Sequence, residues 1–170
     1  VNYTHRPEVL EERRQVDRTY LKKLVARALK IHKDGRYFMF ENPVDSALWN
    51  DRVFDPTWRI MGIDTVTGHM CAYGPTAVTT PGMPIKKSMR WVSNHPRLLQ
   101  AVCLRCPGPA KHPEHHVVKE TTPSQTYPPE LAHAICQAVV DIAREHNPSR
   151  FCDGATDDYK QIASSVKGKE

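Results

Sequence analysis

An unbroken amphipathic stretch over residues 8–33, followed at once by a short apolar strand, constrains this chain more than any other feature. Val16, Tyr20, Leu21, Leu24, Val25, Ala28 and Ile31 recur at three- and four-residue steps, with charges filling the other positions. That spacing predicts a long helix with one face to bury. Pro7 suits its first turn, and Gly35 suits the left-handed residue just past its end. The run Tyr37-Phe38-Met39-Phe40 then predicts a buried strand over residues 36–41, with Pro43 blocking its continuation.

Further along, residues 46–50 read as one helical turn, 58–62 as a short helix and 63–66 as a strand. A loop rich in Gly, Pro and Thr covers 73–84. Residues 88–93, carrying Met89, Trp91 and Val92, form another strand, and 96–102 a helical turn or two. Many prolines and histidines make 106–126 irregular. A closing helix over 129–146 places Leu131, Ile135, Ala138, Val139 and Ile142 on one face, opened by Pro128-Pro129 and stopped by Asn147-Pro148. Helices alternating with short apolar strands predict an α/β fold. The expected sheet is an incomplete Rossmann-like one, three to four mostly parallel strands with flanking helices, too few for a whole doubly wound domain.

The chain of 170 residues is long enough for one domain, expected over 8–153, between a loose lead-in (1–7) and a loose tail (154–170). At 39% apolar and 25% charged residues, its composition is that of a globular protein rather than a disordered one. It contains no apolar run of about 18 residues, so no membrane span is expected. Five cysteines without framework spacing argue for free thiols in an intracellular setting, nuclear or cytoplasmic. An excess of 24 Lys+Arg over 19 Asp+Glu, net +5, permits a polyanionic partner without demanding one. A first residue that is valine rather than methionine raises the expectation of a piece cut from a longer polyprotein.

Four groups of residues carry candidate chemistry. Glu41-Asn42-Pro43 ends the first strand, and in open α/β sheets ligands gather at the carboxyl ends of strands. Glu41 is thus a candidate to hydrogen-bond and protonate a heterocycle, or else a helix cap or turn charge. In Lys86-Lys87-Ser88-Met89-Arg90-Trp91, alternation puts Lys86, Ser88 and Arg90 on one face and Lys87, Met89 and Trp91 on the other. These cations suit a base carbonyl or a phosphate, arginine in bidentate fashion, although lysines also protect edge strands from aggregation. Cys103 and Cys106, with His112, His115 and His116 soon after, supply the ligand count of a tetrahedral zinc site; a His-rich surface loop is the alternative. Cys71 and Cys136 read as buried thiols, and Asp153 disfavours a thiolate at Cys152. With no Gly-rich phosphate loop and no activated nucleophile, the chain does not read as a self-sufficient enzyme.

In order and spacing, Gly35-Arg36-Tyr37-Phe38-Met39-Phe40-Glu41-Asn42-Pro43, Trp49, Cys71-Ala72-Tyr73-Gly74 and Lys86-Lys87-Ser88-Met89-Arg90-Trp91 resemble the second half of a cytosine-C5 DNA methyltransferase catalytic domain. They are most like divergent versions from phages and mobile elements, where E-N-P replaces E-N-V. The resemblance spans residues 35–94 and extends to 127–142, which is similar to the helix closing the cofactor pocket. It implies a flipped cytosine in DNA, a methyl group from S-adenosylmethionine, Glu41 binding and protonating N3, and Asn42 shaping the loop. It also implies Lys87 or Arg90 at the base carbonyl, with Lys86 alongside. The Pro-Cys nucleophile and glycine-rich cofactor loop expected before Glu41 do not occur, since no cysteine here follows a proline.

The leading expectation is therefore the base-binding half of such an enzyme, transferring methyl only when joined to an upstream half of the same polyprotein. Its rivals are a degenerate nucleic-acid- or protein-binding module of a mobile-element polyprotein, stabilised by zinc, and a purely structural remnant.

Overall fold

The computed structural model describes residues 7–74, 83–85, 87–109, 111 and 127–147. Helix α1 spans Pro7–Lys33, about 40 Å at 1.5 Å per residue. It ends as its sequence predicts. Gly35 adopts φ 69°, its N–H donates to the His32 carbonyl and the Arg36 N–H to the Ile31 carbonyl. This pair of bonds caps the last carbonyls and turns the chain sharply.

Strand β1 is Met39–Pro43, β2 Asp64–His69 and β3 Ser88–Ser93. They form a sheet of order β1-β3-β2, and β3 is antiparallel to both neighbours. This corrects the expected Rossmann-like parallel sheet. Strands β1 and β2 do run in the same direction, but the chain returns between them instead of placing them side by side. Apolar patterning marks which segments are strands; it does not say which strands pair or in what direction.

Pro43 does not stop β1 early. It occupies the last position of an edge strand, where the missing N–H costs no ladder bond, and pairing resumes at Val44, whose N–H donates to the Ser88 carbonyl at 3.0 Å. The next helical segments also differ from expectation. A 3₁₀ turn at Arg52–Phe54 leads into the short helix α2, Asp55–Trp58, whereas the sequence had pointed to 58–62. The start signals are Asp51, whose Oδ1 accepts from the Val53 N–H at 3.0 Å, and Pro56 in the first turn.

The pleat divides the core in two. Met89 and Trp91 of β3 join Met70, Tyr73, Leu99, Val102 and Leu131 in one buried cluster. Val92 faces the other way, joining Ala28, Phe38, Trp49 and Ile63. The first face is covered by α3 (Pro96–Ala101) and α4 (Pro129–His146), the second by α1 and the 3₁₀ turns at Ala47–Asn50 and Arg52–Phe54. Helix α1 is longer than the sheet it serves. Val25 and Ala28 are buried, while Val16, Tyr20 and Leu24 remain 58%, 66% and 45% exposed. Val139 of α4 is also exposed, so helical periodicity overstated how far each apolar stripe is used.

Two residues that periodicity did not flag hold the layers together. The Asn94 amide oxygen accepts from the Phe38 N–H at 2.9 Å. Its nitrogen donates to the Arg36 carbonyl at 2.8 Å and to His32 Nδ1 at 3.1 Å, tying α1, β1 and β3 at one corner. Gly68 lets the segment after α3 cross β2, since a Cβ there would lie 2.0 Å from the Val102 carbonyl oxygen.

Candidate functional site

Glu41 pairs with Trp91 across the β1–β3 ladder, so its side chain lies on the α4 face of the sheet among apolar neighbours. The residue is half-buried. Its Oε2 is shielded from water and has no hydrogen-bond partner among the described residues. The Tyr127 hydroxyl, just before α4, donates to the carboxylate, and the Tyr127 ring lies 6.0 Å from that of Trp91. Burial first, and then the hydrogen bond to the Glu41 carboxylate, push the Tyr127 phenol above its ordinary range; the phenol therefore stays a donor. Among the described residues no cation forms an ion pair with Glu41.

Asn42, one residue on, points to the opposite face, where it pairs with Arg90. It lines a cleft of about 870 Å³ with Arg14, Arg18 and Tyr20 of α1 and with Ser46 and Asn50. Trp49 Nε1 donates to the Pro43 carbonyl at 2.7 Å, which fixes the indole at this end of β1. The Arg90 guanidinium stacks over that indole, 5.4 Å from the ring centroid. The structure therefore places Glu41 and Arg90 on opposite faces, not in one pocket. Lys87 falls on Glu41's face by alternation, is half-buried, and its carbonyl accepts from the Met70 N–H at 2.8 Å. Lys86 lies outside the described residues.

Cys103 and Cys106 are half-buried and form no disulfide among the described residues. The Cys103 thiol donates to the Gln100 carbonyl at 3.2 Å, and the Cys106 N–H donates to His69 Nδ1 at 3.0 Å. Among the described residues no three His, Cys, Asp or Glu side chains gather as a metal site. His112, His115 and His116, which the zinc expectation needs, lie outside the described residues, as do Cys152 and Asp153. Cys71 is buried as expected, but Cys136 is exposed on α4, on the same side as exposed Val139.

A polar cluster unforeseen from the sequence joins α3 and α4. Tyr37 and His146 share a hydrogen bond, Tyr37 packs edge-on against His95 at 4.4 Å, and Arg97 pairs with Glu145. His95 caps α3, its Nδ1 accepting from the Arg97 N–H at 3.3 Å. Its proton affinity is lowered by burial, with Glu145 opposing and His146 and Arg97 adding to the effect. The readable signal was a polar side chain directly before Pro96 at a helix start.

Compared with known proteins, the chain matches no family model, no curated relative and no solved structure. No helix among the described residues is long and apolar enough to cross a membrane.

Proposed function

We propose that Glu41 is the recognition group of a nucleobase-binding site on the α4 face of the sheet, as in the base-binding half of a cytosine-C5 DNA methyltransferase-like unit. One observation carries this reading: Glu41 Oε2 is buried without a partner among the described residues. A desolvated carboxylate oxygen left unpaired costs roughly 1–3 kcal/mol, a cost that a ligand N–H in that position relieves. Tyr127, 39% exposed, provides a flat surface beside it. Tyr127 engages one part of the carboxylate, which leaves the other oxygen for an exocyclic amine or a protonated ring nitrogen of cytosine.

In this reading the chain supplies recognition. Methyl transfer from S-adenosylmethionine requires a nucleophile and a cofactor loop that its sequence lacks, and by alternation Lys87 falls on the same face of the sheet as Glu41. Titrating the protein with a short cytosine-containing single-stranded oligonucleotide, beside a thymine-only control, tests it. Glu41→Leu should weaken cytosine binding by about tenfold or more, the worth of a charge-assisted hydrogen bond. Equal affinity of the variant and the parent protein removes Glu41 from this role.

A further inference from the structure

We propose that a second site, on the opposite face of the sheet from Glu41, binds a phosphate group through Arg90, Arg105, Thr65 and Thr67. A cavity of about 490 Å³ is lined by Thr65, Val66, Thr67, Arg90, Cys103 and Arg105. The lining contains two guanidinium-bearing side chains, two hydroxyls and no carboxylate. The register explains the grouping. Thr67 pairs with Arg90 and Thr65 with Val92, so both threonines share the face on which Arg90 emerges. The segment after α3 brings Cys103 and Arg105 beside them, held at the sheet edge where the His69 N–H donates to the Leu104 carbonyl at 2.8 Å.

Among the described residues no carboxylate neutralises either arginine, whereas Arg18, Arg36 and Arg97 all have carboxylate partners. The Arg90 guanidinium is held by the Trp49 ring, which restrains it while leaving its N–H donors unspent. Arg105 Nη1 lies 3.4 Å from His69 Nε2. Charged donors in fork geometry together with hydroxyls select a phosphate over a carboxylate by the number of oxygens each can satisfy.

The cleft and Glu41 are on different faces, so this proposal does not depend on the base-recognition reading. The test is an NMR titration of the isotope-labelled chain with inorganic phosphate against sodium chloride at matched ionic strength, followed by a thymine-only oligonucleotide. Saturable shifts confined to Thr65, Thr67 and the Arg90 and Arg105 side chains are expected with phosphate. Arg105→Met should weaken binding by about tenfold. Because Arg105 is exposed and outside both cores, that variant should fold normally, and Arg90→Met should show the same loss. Displacement of phosphate by the oligonucleotide would identify the ligand as a nucleic-acid backbone, and failure to displace it a small phosphorylated molecule; each supports the site. Absence of saturable shifts at matched ionic strength, or unchanged affinity in both variants, overturns it.

Discussion

Each face of the sheet holds a charged side chain against aromatic neighbours, Glu41 on one and Arg90 on the other, and the two are held in opposite ways. On the α1 face, Arg90 lies flat on Trp49 and lines an open cleft. On the α4 face, Glu41 accepts a hydrogen bond from the Tyr127 hydroxyl, and its Oε2 has no partner among the described residues. The two residues sit on neighbouring strands, one register step apart. Had they shared a face they would form an ion pair and neutralise each other. The pleat keeps them apart, so the sheet presents an acceptor on one side and a donor on the other.

The largest test of this division is Gly68→Ala. Its Cβ would meet the Val102 carbonyl at 2.0 Å and push away the segment that completes the arginine cleft, while also disturbing the cluster around Trp91. We expect a loss of about 3 kcal/mol in urea unfolding. A loss under about 0.5 kcal/mol, the range of ordinary surface changes, would mean that the crossing at Val102 yields easily.

Replacing the charges themselves sharpens the contrast. Glu41→Leu removes a buried oxygen without a partner and should stabilise the fold by about 1 kcal/mol, after allowing for the lost Tyr127 bond. Arg90→Met forfeits the stacking on Trp49 and should destabilise it by about 0.5–1 kcal/mol. Shifts of the same sign in thermal unfolding would erase the proposed asymmetry. A rise in stability coupled to lost ligand binding is what a site residue maintained at a folding cost would give.

The smallest effect concerns the α3–α4 corner on the Glu41 side. Burial holds the proton affinity of folded His95 below its ordinary value, so the unfolded chain binds more protons. Stability from the neutral, capping imidazole is therefore whole above about pH 6.5 and is lost as pH falls below it. His95→Asn, which can still cap, should flatten that part of the stability–pH curve measured by chemical unfolding. An unchanged slope would assign the acid sensitivity to another group.

Residues with a local physical signature were legible in the sequence. The helical spacing of α1 and α4, Gly35 at a left-handed stop and the alternation of residues 88–93 each specify structure within a few neighbours. The same alternation already assigned Lys87 and Arg90 to opposite faces. Asp51 and Pro56 also carry a local start signal, which sets the short helix at Asp55–Trp58 rather than over 58–62. Exposed Cys136 and Val139 show the limit of such patterns. Periodicity defines a stripe, while the size of the neighbouring surface decides how much of it is covered.

Pairing and encounter depended on the fold. Strand order β1-β3-β2 with an antiparallel centre arises from contacts between segments far apart in the chain, whose apolar patterns are equally compatible with parallel neighbours. Tyr127 meets Glu41, Arg105 joins Arg90, and Asn94 binds both Phe38 and Arg36 only after those contacts form. Sequence by itself determined which segments become helices and strands and which side chains share a face, because 3.6- and 2-residue repeats are local geometry. Tertiary structure alone decided that the acid and the arginine would serve separate surfaces, because register and strand direction are set by cooperative packing across the whole sheet.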